Sequence, residues 1–176
     1  RFAGDSGDGL QVAGTQLTET SAESGNDLAT LPDFPAEIRA PAGSMAGVSS
    51  FQISFSSDDV HTPGDTPDVL VALNPAALKT SISSIPSGTT IIVNEDAFTD
   101  RNLNKAGYQD NPLTDDSMSQ CRLISIPITS QNEKALTVFG MSPRQSGRSK
   151  NFYALGIIYW LYDRSLNHSL EWIQKK

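Results

Sequence analysis

The sequence predicts an α/β protein, and three observations support that fold class. Short segments rich in β-branched and apolar residues recur along the chain, stretches with helical spacing lie between several of them, and a glycine-rich turn joins the first segment to the first helix. This alternation is typical of helices layered around a largely parallel sheet. We therefore expect a three-layer α/β/α sandwich with a mainly parallel, mixed sheet, similar to the Rossmann fold.

The first predicted unit is a short strand at Phe2-Ala3, a turn over 4–9 and a helix over 10–24. Glycines in such a turn open backbone conformations closed to other residues, and the free amides that begin the helix favour a bound anion. The glycine order GxxGxG differs from the dinucleotide fingerprint, and no Lys-Ser or Lys-Thr follows it. Phosphate is the first ligand to consider. The alternative is a purely structural turn in which Asp5 or Asp8 favours the positive end of the helix.

The remaining elements follow from local patterns. Alternation over 51–55 predicts a strand covered on one face, antiparallel or near an edge, whereas the continuous apolar run 69–73 predicts a strand covered on both faces. Residues 98–120 show no strong period and predict a long loop. Further strands are expected over 90–93 and 123–128, and further helices over 75–81 with Asn74 as cap, 131–139 and 151–163, followed by a short amphipathic piece over 170–173.

Length and composition indicate one domain over residues 1–176, because the chain is too short to bury two separate hydrophobic cores of ordinary size. It opens at Arg1 rather than methionine, so we expect a piece of a longer subunit. The single cysteine, Cys121, excludes an internal disulfide and fits a reducing cytoplasm. No apolar run approaches the roughly 20 residues of a membrane span, so no membrane partner is expected.

The formal net charge of -7 is uneven, with acidic residues concentrated in 1–100 and basic residues in 101–176. No long basic run is interleaved with aromatic residues, so nucleic acid is not an expected partner. Arg144, Arg148 and Lys150 cluster in a predicted loop before a helix, where side chains and backbone together favour an anion. A solvated loop is the alternative interpretation.

Catalytic chemistry has no local signature in this sequence. No GxSxG elbow is present, no nearby carboxylate pair is predicted to flank a substrate, and the two histidines, His61 and His168, are isolated. We therefore predict no catalytic residue and no metal ligand. On its own residues, the chain does not look like a complete enzyme.

Several segments, together with the glycine turn, resemble the gamma domain of 2-oxoacid:ferredoxin oxidoreductases. The resemblance runs nearly end to end and is closest to the N-terminal part of the alpha subunit of the 2-oxoglutarate-type enzymes. Many gamma domains carry GxGGQG at the opening turn and EIRGG where this chain has EIRAP over 37–41. The segments that carry the resemblance are 26–30, 34–43, 46–49, 74–78, Lys150-Asn151-Phe152, Ala154-Leu155-Gly156 and Tyr159-Trp160-Leu161.

The resemblance implies part of an enzyme that oxidatively decarboxylates a 2-oxoacid with coenzyme A and passes electrons to ferredoxin. Thiamine diphosphate, magnesium and the iron–sulfur cluster are then expected in other domains or subunits. The implied partners are thiamine-binding domains of the same subunit, a beta subunit and, through the whole complex, ferredoxin.

In this family the gamma domain helps to form the coenzyme A site. The resemblance and the glycine turn, whose free amides favour an anion, therefore both indicate the pyrophosphate of coenzyme A as the ligand. We expect backbone or hydroxyl contacts from Ser6, Gly7 and Gly9 and charge from Arg39 and Lys150. One alternative is a non-catalytic docking module without a ligand, in which 35–44 is a docking loop. Another is a freestanding nucleotide-binding protein.

Overall fold

The computed structural model describes residues 1–35 and 47–175, which form a sheet in the order β2-β3-β1-β4-β5-β6. The strands are β1 (Phe2–Asp5), β2 (Asp27–Asp33), β3 (Val48–Ser56), β4 (Val69–Ala72), β5 (Thr90–Asn94) and β6 (Arg122–Ile126). The helices are α1 (Leu10–Glu23), α2 (Pro75–Ser81), α3 (Asp100–Ala106), α4 (Ile128–Thr137), α5 (Pro143–Ser146), α6 (Lys150–Leu161) and α7 (Asn167–Gln174).

The sheet is mixed, as the sequence predicted. Strands β1, β4, β5 and β6 run parallel to one another. Strand β3 pairs antiparallel with both β1 and β2, so the alternating segment 51–55 is antiparallel and next to the edge. In this register Phe51 lies opposite Phe2 and also opposite Pro32.

Helices cover both faces of the sheet and bury separate apolar clusters. On one face α1 and α6 contribute Leu17 and Tyr159, and on the other face α2 and α3 contribute Leu78 and Leu103. Strand β4 and the residue after it supply both clusters, with Leu70 and Ala72 on one side and Val71 and Leu73 on the other. Full burial of such side chains stabilises by about 1.5–3 kcal/mol each. The predicted three-layer sandwich and the doubly covered strand are therefore confirmed.

Two predicted loops contain helices. Within 98–120, α3 begins after Thr99, whose hydroxyl oxygen accepts from the Asn102 amide at 3.4 Å, and it ends at Gly107 with φ +74°. Both residues are ordinary helix-end signals. The predicted loop around Ser146-Gly147 is also wrong, because α5 and a 3-10 turn over 147–149 lead directly into α6.

Two further boundaries differ from the prediction. Strand β2 lacked a strand pattern in the sequence, since it is a largely exposed edge strand containing Pro32, and it forms through pairing with β3 along its length. The strand predicted over 123–128 ends at Ile126, because Pro127 caps the helix that begins at Ile128.

Candidate functional site

The glycine turn lies where the sheet topology opens a crevice. From β1 the chain passes to α1 on one face, whereas from the adjacent β4 it passes to α2 on the other. Neighbouring parallel strands whose connections leave in opposite directions form a crevice at their carboxyl ends, and open α/β sheets bind ligands there. Residues 4–9, which end β1 and lead into α1, lie at this position.

Asn74 joins the two sides of the crevice. Its Nδ2 donates to Asp5 Oδ1 at 2.8 Å, and its Oδ1 accepts from the Ala77 amide at 2.8 Å as the cap of α2. The predicted capping role is therefore confirmed, and the contact with Asp5 is an addition. The pKa of Asp5 is raised, first by partial desolvation of its carboxyl group and then by the negative charge of Asp8.

Reciprocal hydrogen bonds between Asp5 and Asp8 shape the turn itself. The Asp8 amide donates to the Asp5 carbonyl oxygen at 2.9 Å, and the Asp5 amide donates to Asp8 Oδ2 at 3.1 Å. Gly9 has φ +70°, a left-handed conformation that favours glycine. A Cβ on Gly4 would approach Asp8 Oδ2 to 2.8 Å, whereas a Cβ on Gly7 would meet open space. Gly9 is therefore favoured by its backbone conformation, a Cβ on Gly4 would push against the Asp8 carboxylate, and Gly7 has neither constraint.

Lys150 reaches the turn from the start of α6. Its Nζ lies 2.7 Å from Asp8 Oδ1, with 24% of the lysine side chain and 10% of the aspartate side chain exposed. The next residue, Asn151, is buried and donates from Nδ2 to the Gly9 carbonyl oxygen at 3.0 Å. The fold thus brings the predicted cation beside the predicted glycine turn, across a separation of 142 residues between Gly9 and Asn151.

The other predicted site residues are exposed or lie outside the described residues. Ser6 and Gly7 are exposed at the tip of the turn, and the Ser6 hydroxyl makes no hydrogen bond within the described residues. Arg39 lies outside the described residues, as does the predicted docking segment beyond Pro35. Arg144 and Arg148 are exposed on the helical segment before α6.

Sequence reasoning missed the roles of Asn74 and Asn151 in this site. Asn74 was identifiable only as a helix cap, and its contact with Asp5 depends on β1 and β4 being neighbours. Asn151 is a polar residue at the start of a strongly apolar helix, and that position was the signal available in the sequence; the structure shows that it is buried. Its Oδ1 has no hydrogen-bond partner within the described residues.

The arrangement combines groups that attract an anion with groups that repel one. The first turn of α1 has no side-chain cap, so its amides are available to an oxygen ligand, and Lys150 adds a positive charge. Asp5 and Asp8 add negative charge to the same turn. An anion bound here is held by backbone amides and one ammonium group, against two carboxylates.

Metal-binding and membrane-spanning features were also sought over residues 1–35 and 47–175. In those ranges no three His, Cys, Asp or Glu side chains are grouped for a metal ion. None of the helices there combines the length and apolar character that a membrane crossing requires. Cys121 is half-buried, with its Sγ 3.9 Å from the Pro86 carbonyl oxygen.

Comparisons with known proteins agree with this architecture. The chain is 51% identical to the 2-oxoglutarate oxidoreductase subunit KorA of Mycobacterium tuberculosis (strain ATCC 25618 / H37Rv), over 176 residues that make up 100% of this chain and 27% of that protein. It therefore spans about a quarter of the length of this curated relative.

Two solved structures share the fold. A 2-oxoglutarate:ferredoxin oxidoreductase from Magnetococcus marinus, with 2-oxoglutarate, coenzyme A and succinyl-CoA bound, superposes with a TM-score of 0.72 at 27% identity, covering 99% of this chain and 27% of that one. The gamma subunit of a keto/oxoacid ferredoxin oxidoreductase from Geobacter sulfurreducens PCA gives 0.63 at 18% identity, covering 99% and 83%. Residues 1–176 match the family described as pyruvate ferredoxin/flavodoxin oxidoreductase, and the chain belongs to that family.

Proposed function

We propose that this chain is the part of a coenzyme A-dependent 2-oxoglutarate:ferredoxin oxidoreductase that helps to bind coenzyme A and to pack the subunits. The relative from M. tuberculosis is a 2-oxoglutarate oxidoreductase subunit, and the similar M. marinus enzyme holds 2-oxoglutarate, coenzyme A and succinyl-CoA. The reaction is the oxidative decarboxylation of the 2-oxoacid to its acyl-CoA.

The coenzyme A role is supported by one observation. Lys150 contacts the glycine turn through Asp8, at the carboxyl ends of β1 and β4. A pyrophosphate at this point receives charge from the ammonium group and hydrogen bonds from the first amides of α1. Ser6, Gly7 and Gly9 supply hydroxyl or backbone contacts in this proposal, and Arg39 supplies a second cation.

Thiamine diphosphate, magnesium and the iron–sulfur cluster bind in other domains or subunits of the enzyme in this proposal. A four-iron cluster takes four cysteine thiolates, whereas this chain has one cysteine. Ferredoxin accepts the electrons through the assembled complex, and the cytoplasm is the compartment, because it keeps a thiol such as Cys121 reduced.

A packing role rests on apolar side chains left in solvent near the end of the chain. Trp160 at the end of α6 is 82% exposed, and Leu170 and Ile173 of α7 are 51% and 48% exposed. Such a surface is typical of an interface, and its partners in this proposal are the thiamine-binding domains of the same subunit and a beta subunit. The exposed residues of this C-terminal apolar surface are Trp160, Leu161, Tyr162, Leu166, Leu170 and Ile173.

Replacement of Lys150 in the assembled enzyme tests the coenzyme A role. Lys150→Met removes the charge that faces the turn, and a contact of this kind contributes on the order of 1.5–3 kcal/mol. The Michaelis constant for coenzyme A should then rise about ten- to a hundredfold. The coenzyme A-independent decarboxylation half-reaction should remain largely intact, because only acyl transfer needs the thiol substrate. Arg39→Ala is expected to act in the same direction.

Lys134→Met is the matched control, because Lys134 is exposed on α4 and makes no ion pair within the described residues. It should leave the Michaelis constant for coenzyme A at the wild-type value. If Lys150→Met instead lowers both half-reactions equally, with the coenzyme A dependence unchanged, the chain is a docking module and the coenzyme A role is wrong.

A further inference from the structure

The carboxylate of Asp8 makes the contacts that an anionic ligand of this turn requires. Its Oδ1 lies 2.7 Å from Lys150 Nζ, and its Oδ2 accepts from the Asp5 amide at 3.1 Å. Phosphate sites on glycine-rich turns pair a lysine ammonium with backbone amides in the same way. The chain therefore carries an anion of its own where the proposed function places a pyrophosphate.

The turn is closed tightly around this carboxylate. Only 10% of the Asp8 side chain is exposed, and a Cβ on Gly4 would approach its Oδ2 to 2.8 Å. Asp8 also adds to the negative charge felt by Asp5, whereas Lys150 and, more weakly, Lys105 oppose it. The ammonium group that should attract a pyrophosphate is thus already neutralised by a residue of the turn.

Building on the proposed function, we propose that Asp8 is an internal competitor of the anionic ligand. Asp8 holds Lys150 and one turn amide in the free enzyme and releases Lys150 when the pyrophosphate of coenzyme A binds. The Asp8–Lys150 ion pair must break at each binding event, so the affinity is lower than it would be with a neutral residue at this position.

The same competition applies to substrate and product. Coenzyme A and acyl-CoA carry the same pyrophosphate, so Asp8 weakens the binding of both by the same factor. Weaker binding of the product favours its release, which is the step that limits turnover in many enzymes. Asp8 therefore sets how long the nucleotide part stays bound, while the acyl transfer itself takes place at the thiol end of the molecule.

Asp8→Asn tests this inference in the assembled enzyme. Asparagine keeps an oxygen that can accept from the Asp5 amide, and it removes the charge that neutralises Lys150. Calorimetric titration of coenzyme A into the resting enzyme should give a Kd about three- to tenfold lower than that of the wild type, a change smaller than that for a fully buried charged contact because the pair is partly exposed. The inhibition constant of the acyl-CoA product should fall by the same factor.

Asp58→Asn is the matched control, because Asp58 is exposed in a bend after β3 and its replacement changes the net charge equally. It should leave both constants unchanged. Asp8→Ser is a second variant that removes the charge and keeps a hydroxyl acceptor, and it should shift both constants in the same direction as Asp8→Asn.

The outcomes separate the two proposals. If Lys150→Met weakens coenzyme A binding but neither Asp8 variant strengthens it, Asp8 only orients Lys150, and the inference is wrong while the proposed function stands. If Lys150→Met leaves the Kd unchanged, the proposed function itself is wrong. If neither Asp8 variant assembles, the carboxylate is a structural requirement of the turn and the inference is rejected.

Discussion

Gly14 lies so close to the ring of Phe51 that a Cβ on this glycine would approach the ring carbon Cγ to 2.2 Å. The contact sets the distance between α1 and β3, because the Gly14 backbone, which carries no side chain, packs directly against the Phe51 ring. It also fixes the height of α1 above the sheet. The position of the glycine turn, which immediately precedes α1, depends on that height.

Replacing Gly14 with alanine should destabilise the protein by about 1–3 kcal/mol, because either Phe51 or the whole of α1 must move. For a chain of this size we expect thermal unfolding to occur roughly 2–12 °C lower. Gly156→Ala is the control in α6, where a Cβ meets nothing within 4 Å. That change should stabilise by about 0.5–1 kcal/mol, since alanine favours a helix interior. Equal melting temperatures for both variants would contradict the close contact.

The two glycines at the start of α1 should respond differently to alanine. Gly9→Ala places a side chain on a backbone with φ +70° and brings its Cβ to 2.6 Å from Asn151 Nδ2. We expect a loss of about 1–2 kcal/mol from the backbone conformation, together with weaker coenzyme A binding as the Asn151 contact shifts. Gly7→Ala adds its Cβ in open space and should change stability by less than about 0.5 kcal/mol. Denaturant unfolding and coenzyme A titration of the two variants provide the comparison.

His168 links α7 to α1 and should make stability depend on pH. Its Nε2 lies 2.8 Å from Glu19 Oε2 and its Nδ1 lies 2.6 Å from Glu23 Oε1. The two ring nitrogens can donate at the same time only when the imidazole is protonated. The hydrogen bond to Glu19 and, after it, the hydrogen bond to Glu23 therefore raise the pKa of His168. Because the folded pKa is raised, the stabilisation is fully present below the unfolded pKa of about 6.5 and disappears as the pH rises through the folded pKa.

His168→Gln should therefore lower the free energy of unfolding most at pH 5.5, and the difference should become small by pH 8.5. The His168 side chain is 23% exposed and its partners Glu19 and Glu23 are 42% and 61% exposed, so solvent screens the ion pairs and the effect at pH 5.5 should be about 0.2–1 kcal/mol. Urea unfolding at the two pH values measures it. A deficit of the same size at both pH values would assign His168 a packing role instead.

The C-terminal apolar surface should affect the behaviour of the 176-residue chain expressed alone. We expect it to self-associate or to bind a hydrophobic dye, because Trp160 is 82% exposed and Leu166 and Leu170 are each 51% exposed. Light scattering should show a dimer or larger species, and Trp160→Ser should shift the population towards monomer. A monomeric wild-type chain that binds no dye would argue against an interface at this surface.

The fold was predictable where a single segment carries its own signal. The apolar run of β4, the Asn74-Pro75 start of α2 and the glycine turn each identify themselves locally. Helix α3 had its signals too, since Thr99 and Gly107 mark its ends, but its sequence lacks a clear apolar period. Strand β2 had none, because an exposed edge strand with a proline acquires its structure from pairing with β3.

The site was predictable only in part, for a physical reason. Sequence patterns indicated the glycine turn and Lys150 separately, but the ion pair with Asp8 depends on how α6 packs across the sheet. The contact between Asp5 and Asn74 depends in the same way on the order of the strands. Long-range packing of this kind leaves no local pattern.

The separation of 142 residues between Gly9 and Asn151 has a consequence for the synthesis of this protein. The ribosome releases the glycine turn well before Lys150 and Asn151, which emerge only after the six strands of the described sheet. Until α6 is synthesised, Asp8 lacks its ion-pair partner, Lys150. A chain that stops short of α6 therefore has the six strands of the described sheet but lacks Lys150, the cation that faces the glycine turn.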